Sequence, residues 1–147
     1  MKIVVGSDHA ALGLKNRVRD QLREWGHAVE DLGTNTTDPV DYPDFAHAVA
    51  VRVQQGDFER GVLVCGTGLG MSMAANRHRG IRAACCDNIF IARMARQHND
   101  ANILCLGARI VAPEYAIEIL KAFLEIPYEG TRHVRRVAKI ELPEGQS

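Results

Sequence analysis

The chain is 147 residues long, 46% hydrophobic and 24% charged, and its 18 basic and 18 acidic side chains leave no net charge. That is the size of one domain with a real core, residues 1–147 forming a single unit, and zero net charge excludes bulk attraction to nucleic acid or an anionic membrane. No apolar run approaches the roughly 20 residues a spanning helix needs. Met1-Lys-Ile-Val-Val-Gly6 runs straight into a strand-like segment without a signal-peptide pattern, so a cytoplasmic protein is expected.

A first strand is expected over 3–5. Leu14, Val18, Leu22 and Trp25 then recur at helical spacing, closed by Gly26. Residues 29–32 read as a second strand. Asp44 is a candidate N-cap for a helix with Phe45, Val49 and Val53 on one face, ending before Gly56. A third strand over 62–65 runs into Gly66-Thr67-Gly68-Leu69-Gly70 and a short helix. Residues 81–86 make a fourth strand, with Asp87 as the cap of the helix behind it. A fifth strand over 103–106 leads to a helix over 112–124, with Ile119, Leu120 and Phe123 inward. Residues 129–140 read as a basic tail helix outside this alternation.

Repeating strand–helix units with near-continuously apolar strands imply a three-layer α/β/α sandwich, Rossmann-like, with a five-stranded, mainly parallel sheet and the C-terminal tail helix appended. Strand order is not readable from these patterns. The four cysteines, Cys65, Cys85, Cys86 and Cys105, lie in or at the ends of apolar runs and read as buried free thiols. They lack metal-ligand spacing, and Cys85 and Cys86 should face opposite sides of their strand.

In an open parallel sheet, ligands bind beyond the carboxyl ends of the strands. Asp8 and His9 follow the first strand, Cys65 to Gly70 the third, and Arg109 the fifth. Glycines at alternate positions let backbone N–H groups converge on an anion, and the helix N-terminus behind them favours a thiolate at Cys65. A base or nucleophile beside an anion hole points to an enzyme. Plainer readings stand beside this one: Asp8 as a helix cap, His9 as a solvated loop residue, Cys65 as a buried thiol, Arg132 and Arg136 as one solvent face of the tail. His98 and Asn99 precede the fifth strand and lie away from the carboxyl edge unless the chain folds back. A Walker loop needs Lys-Ser/Thr where Met71-Ser72 stands, and the first strand lacks a dinucleotide fingerprint, so nucleotide binding has little support.

Taken together, Gly6-Ser7-Asp8-His9-Ala10, Gly33-Thr34, Asp41-Tyr42-Pro43, Cys65 to Gly70, Ala74-Ala75-Asn76, Gly80-Ile-Arg-Ala83, Arg96-Gln-His98-Asn99-Asp100-Ala-Asn102, Tyr128-Glu-Gly130 and Arg132-His133 resemble the type B ribose-5-phosphate isomerases, whose family includes the galactose-6-phosphate isomerase subunits. The resemblance covers nearly the whole chain. It implies interconversion of D-ribose 5-phosphate and D-ribulose 5-phosphate in the pentose phosphate pathway, without metal or organic cofactor. It makes Cys65 the base that moves a proton between C2 and C1, and His98, assisted by Thr67, the group that opens the sugar ring. Asp8, Asn99 and Tyr42 would hold the sugar, and Gly66, Gly68, Gly70 and Ser72 the enediolate. His9, Arg132 and Arg136, with Arg109, would bind the phosphate. Members that use a glutamate base carry it where this chain has Met71, so the thiol branch is the match. The resemblance further implies a homodimer with shared active sites, a tetramer being the other assembly open to it, and residues 126–147 packing on the partner. The competing readings are an isomerase of allose 6-phosphate or galactose 6-phosphate, a non-catalytic sugar-phosphate-binding module, and a thiol hydrolase.

Overall fold

A computed structural model describes residues 1–146. Five strands, β1 (Lys2–Ser7), β2 (Ala28–Asp31), β3 (Arg60–Cys65), β4 (Ala83–Cys85) and β5 (Ile103–Gly107), alternate with helices α1 (Leu12–Glu24), α2 (Tyr42–Gln54), α3 (Leu69–Ala75), α4 (Ile89–Gln97) and α5 (Pro113–Glu125). A short α6 (Val134–Ala138) follows. The sheet order is β2-β1-β3-β5-β4 and every pairing is parallel.

The period of two along each strand sorts the core into halves. Ile3, Val5, Val62, Val64, Leu104 and Leu106 face α1, α4 and α5, which supply Leu14, Val18, Leu22, Ala92, Ile119, Leu120 and Phe123. Val4, Leu63, Cys65, Ile103 and Cys105 face α2 and α3, which supply Ala46, Val49, Val53, Met71 and Ala75. Cys86 joins the first half and Cys85 packs against the second, on opposite faces as their adjacency requires.

The chain reverses direction across the sheet between β1 and β3: β2 lies to one side of this pair, β5 and β4 to the other. The register aligns Ser7 with Val64 and Cys65 with Gly107. Asp8 and Cys65 thus emerge side by side at a topological switch point, where open α/β sheets bind ligands.

Three local expectations need correction. Asp41, not Asp44, occupies the N-cap of α2; Pro43 sits in the first turn, where its missing N–H costs nothing, and Asp44 lies inside the helix. Asn88, not Asp87, caps α4: its Oδ1 accepts the Ile91 N–H at 2.9 Å, while its Nδ2 donates to Asp87 Oδ1 at 2.7 Å. The tail is helical over a shorter span than 129–140, because Gly130 and Thr131 take positive φ of 64° and 46° and delay the helix to a turn at 131–133 and α6. The tail folds back on its own chain: Glu129 N–H donates to Gln97 O at 3.1 Å, and Gly80 N–H to Glu141 Oε1 at 2.7 Å. Val134, Ile140 and Leu142 stay exposed.

Candidate active site

At the carboxyl edge, Asp8 is pinned through its N–H to Val64 O at 3.2 Å. Asp8 stands at the N-cap of the short turn His9–Ala11, but its side chain makes no cap hydrogen bond there. It is nearly covered, and its Oδ1 has no hydrogen-bond partner among the described residues, nor has the neighbouring Ser7 Oγ. Buried polar atoms are rarely left unpaired, so an orphaned carboxylate oxygen beside a thiol marks a place for a polar ligand. Cys65 is buried, 5% of the residue exposed. Its Sγ accepts the Gly68 N–H at 3.1 Å, so the glycine loop aims a donor at the sulfur itself.

Gly68 takes φ of +81°, and a Cβ there would stand 2.9 Å from Cys85 Sγ. The loop is therefore gripped from two sides: Cys85 S–H also donates to Thr67 O at 3.6 Å. Burial, then the neighbouring Cys65 and Asp87, push the Cys85 thiol up, which keeps it a neutral donor. The turn after β5 closes over the loop, with Ala108 N–H on Cys65 O at 2.9 Å and Arg109 N–H on Gly66 O at 3.0 Å. The Arg109 guanidinium lies against Gly66 so closely that a Cβ there would be 3.3 Å from Nη1. Tyr42, from the first turn of α2, lays its ring on Gly70, where a Cβ would meet it at 2.6 Å. His9 Nδ1 accepts the Val40 N–H at 3.1 Å, leaving Nε2 as its donor. The Ser72 hydroxyl turns back onto Leu69 O at 2.8 Å, so its proton is already committed. Thr67 is exposed at the loop's tip, its Oγ1 3.4 Å from Leu69 N.

His98, Asn99, Arg132 and Arg136 do not join this group within one chain. His98 and Asn99 precede Ile103, at the amino end of β5, whereas Cys65 pairs with Gly107 at its carboxyl end. At about 3.3 Å per residue the strand alone separates the two sets by roughly 13 Å. Around His98 a second polar cluster forms: its ring stacks on His133 with centroids 4.3 Å apart and planes at 17°. His133 Nε2 accepts from Arg132 Nε at 3.2 Å. Burial, then His98 and Arg132, lower the His133 pKa, in keeping with a neutral acceptor.

The family model described as "Ribose/Galactose Isomerase" matches residues 3–140. This chain belongs to that family. Ribose-5-phosphate isomerase B of Escherichia coli (strain K12) is 45% identical over 139 residues, covering 95% of this chain and 93% of that protein. D-erythrulose-4-phosphate isomerase of Pectobacterium atrosepticum is 41% identical over 148 residues, covering 99% and 97%. The solved structure of Clostridium thermocellum ribose-5-phosphate isomerase B matches with a TM-score of 0.94 at 50% identity, covering 95% of each chain. The chain is thus an aldose–ketose isomerase of sugar phosphates, and the binding-module and thiol-hydrolase readings fall away.

His98, Glu129 and His133 place one possible metal-binding atom each within 4.8 Å of one another. Parallel stacked imidazoles direct their in-plane lone pairs side by side instead of toward a common point, so this arrangement does not suit a zinc-like ion. No helix among the described residues is long and apolar enough to cross a membrane.

Sequence reasoning missed the charges that hold these loops. Lys15 is wholly buried, its Nζ donating to both Asp31 oxygens at 2.8 Å, to Thr34 O at 2.7 Å and to Asn35 Oδ1 at 3.1 Å. The segment it holds pairs with Ser7 through Gly33 O and Thr34 N–H, next to Asp8. A lysine on the apolar face of α1, in step with Leu14 and Val18, was the available signal.

Proposed function

We propose that this isomerase interconverts D-ribose 5-phosphate and D-ribulose 5-phosphate through a cis-enediolate, with Cys65 as the base. One observation carries the reading: the unpartnered Asp8 carboxylate oxygen and the Gly68-bonded Cys65 thiol emerge together at the β1–β3 switch point. The thiolate takes the C2 proton and returns it to C1, general-base chemistry that contributes a factor of roughly 10²–10⁴. The Gly66 and Gly70 amides face the enediolate oxygens as charge develops, stabilising it without reorganisation. The Gly68 N–H serves the Cys65 sulfur instead, and Ser72, its proton spent on Leu69 O, can only accept from a sugar hydroxyl. Asp8 holds a sugar hydroxyl and Tyr42 lines the sugar pocket.

Ribose 5-phosphate is mostly a closed ring, so an acid–base group must open it before the proton can move. His98 takes that role, with Thr67 at the ring oxygen, while Asn99 holds a hydroxyl. His9, Arg109, Arg132 and Arg136 take the phosphate, the arginines through paired N–H donors. The distance between the two ends of the sheet supports a homodimer in which a second copy supplies His98, Asn99, Arg132 and Arg136 to the Cys65 end of the first. The exposed apolar residues of the tail favour its packing on that copy.

Chain length of the sugar is a separate question. The erythrulose-4-phosphate isomerase is nearly as similar as the ribose-5-phosphate isomerase, so four- and six-carbon phosphates belong in the assay. Purified protein in EDTA should turn over ribose 5-phosphate faster than allose 6-phosphate, galactose 6-phosphate or D-erythrulose 4-phosphate, and Cys65→Ala should lose that turnover. A preference for another sugar would reassign the substrate, and a fully active Cys65→Ala would reject the base.

A further inference from the structure

The segment Arg96-Gln-His98-Asn99-Asp100-Ala-Asn102 contains polar residues that the isomerisation leaves unused. Asp100 adopts left-handed backbone, φ 47°, which Asp and Asn tolerate better than most residues. Its carboxylate joins two elements: Oδ1 accepts from Arg96 Nη1 of α4 at 2.8 Å, and Oδ2 from Arg82 Nη2, just before β4, at 3.1 Å. Arg96 is 3% exposed and also donates to Ala101 O at 2.6 Å. Arg82 Nε donates to the carbonyls of Asn99 at 3.1 Å and Asp100 at 2.9 Å, so the Asn99–Asp100 and Asp100–Ala101 peptides are held by the same guanidinium. Asn102 completes the frame, its Oδ1 accepting Arg82 N–H at 2.8 Å and its Nδ2 donating to Gly80 O at 2.8 Å. Burial and the nearby Arg96 lower the pKa of a third arginine, Arg60, while Asp100 opposes them. Asp100 is thus the carboxylate that the Arg82 and Arg96 guanidinium groups share.

We infer that Asp100 is a positioning residue for ring opening and hydroxyl binding, holding His98 and Asn99 at the angle they present to the sugar. It touches no reacting atom and acts through those two side chains, so the inference rests on the roles proposed for them. A misplacement of about 1 Å in a group at the chemistry costs on the order of 100-fold in rate. The clamp removes that freedom by tying the His98-Asn99 turn to two elements at once.

The test is a mutant cycle on the full-length enzyme, using the sugar phosphate it turns over fastest. Asp100→Asn keeps the left-handed backbone and the side-chain shape but removes the charge. It should lower kcat by roughly 10–100-fold in the wild type, with KM changed less than about twofold. In a His98→Ala, Asn99→Ala background the same change should cost less than about twofold, because groups acting through one another are non-additive. Equal losses in both backgrounds, or a fully active Asp100→Asn, would overturn the inference. If the background variant keeps wild-type turnover, the roles of His98 and Asn99 fail and the inference falls with them, an outcome distinct from equal losses. Should Asp100→Asn fold poorly, Arg82→Gln, at a partly exposed side chain, replaces it with the same expected pattern.

Discussion

Lys15→Met is the most revealing single change to the scaffold. Met fills much of the lysine's volume while removing the ammonium that donates to Asp31, Thr34 and Asn35. Removing one partner of a buried pair costs about 3–5 kcal/mol, because the other charge is left uncompensated. Here Arg19 still reaches Asp31 Oδ2 at 3.1 Å, and the Asp31 side chain is 11% exposed, so the low end, about 3 kcal/mol, applies. For a domain of this size that is a fall in Tm of roughly 6–12 °C. Circular dichroism during thermal and urea unfolding measures it. Burial alone would raise the Asp31 pKa, but Lys15, the Gly33 N–H and Arg19 outweigh it and hold the carboxyl below its ordinary value. A depressed folded pKa stabilises above the unfolded carboxylate value of about 3.9 and is lost as pH falls through the folded one. The gap between wild type and Lys15→Met should therefore be full near pH 7 and shrink below about pH 4. Replacing both partners, Lys15→Met with Asp31→Leu, should recover part of the loss. A single variant as stable as wild type at pH 7 would refute the reasoning, since Arg19 would then suffice for Asp31.

Gly68→Ala should cost about 1–2 kcal/mol for its left-handed backbone alone, with more from the contact at Cys85 Sγ, and it should lower kcat by disturbing the N–H aimed at Cys65; unchanged kcat would remove the loop from the chemistry. Thiol labelling at pH 8 with mass spectrometry should leave Cys105 and Cys86 unmodified while the protein is folded, since burial pushes Cys86 up to about 12 and Cys105 well above its ordinary value. Early labelling of either would show a more open core. Arg132→Ala and Arg136→Ala should mainly raise KM, as loss of uniform phosphate binding does; a fall in kcat at constant KM would move those arginines to the reacting carbons.

The alternation of strands and helices was legible because each element carries its own period, and the parallel sheet followed from strands apolar on both faces. The residues ending β1, β3 and β5 were equally visible, since a strand's end is a local event. Strand order was not, because it depends on pairings such as Cys65 with Gly107 that no local pattern encodes. The caps show how close the competition is. Asp44 and Asp87 are good capping residues, but Pro43 favours a start at Asp41, and Asn88 was equally suited to its place. The Asp100 clamp was invisible for a different reason: Arg82 and Asp100 lie 18 positions apart and meet only once β4 and β5 pair.

The separation of Cys65 from His98 along β5 has a consequence for how this enzyme behaves in a test tube. Both halves of the core belong to one chain, yet on the proposed dimer that chain owns no complete reaction centre. Dilution below the dimer's dissociation constant would then leave folded protein with vanishing turnover, and specific activity would climb with enzyme concentration before levelling off. Catalysis would then depend on encounter between two copies.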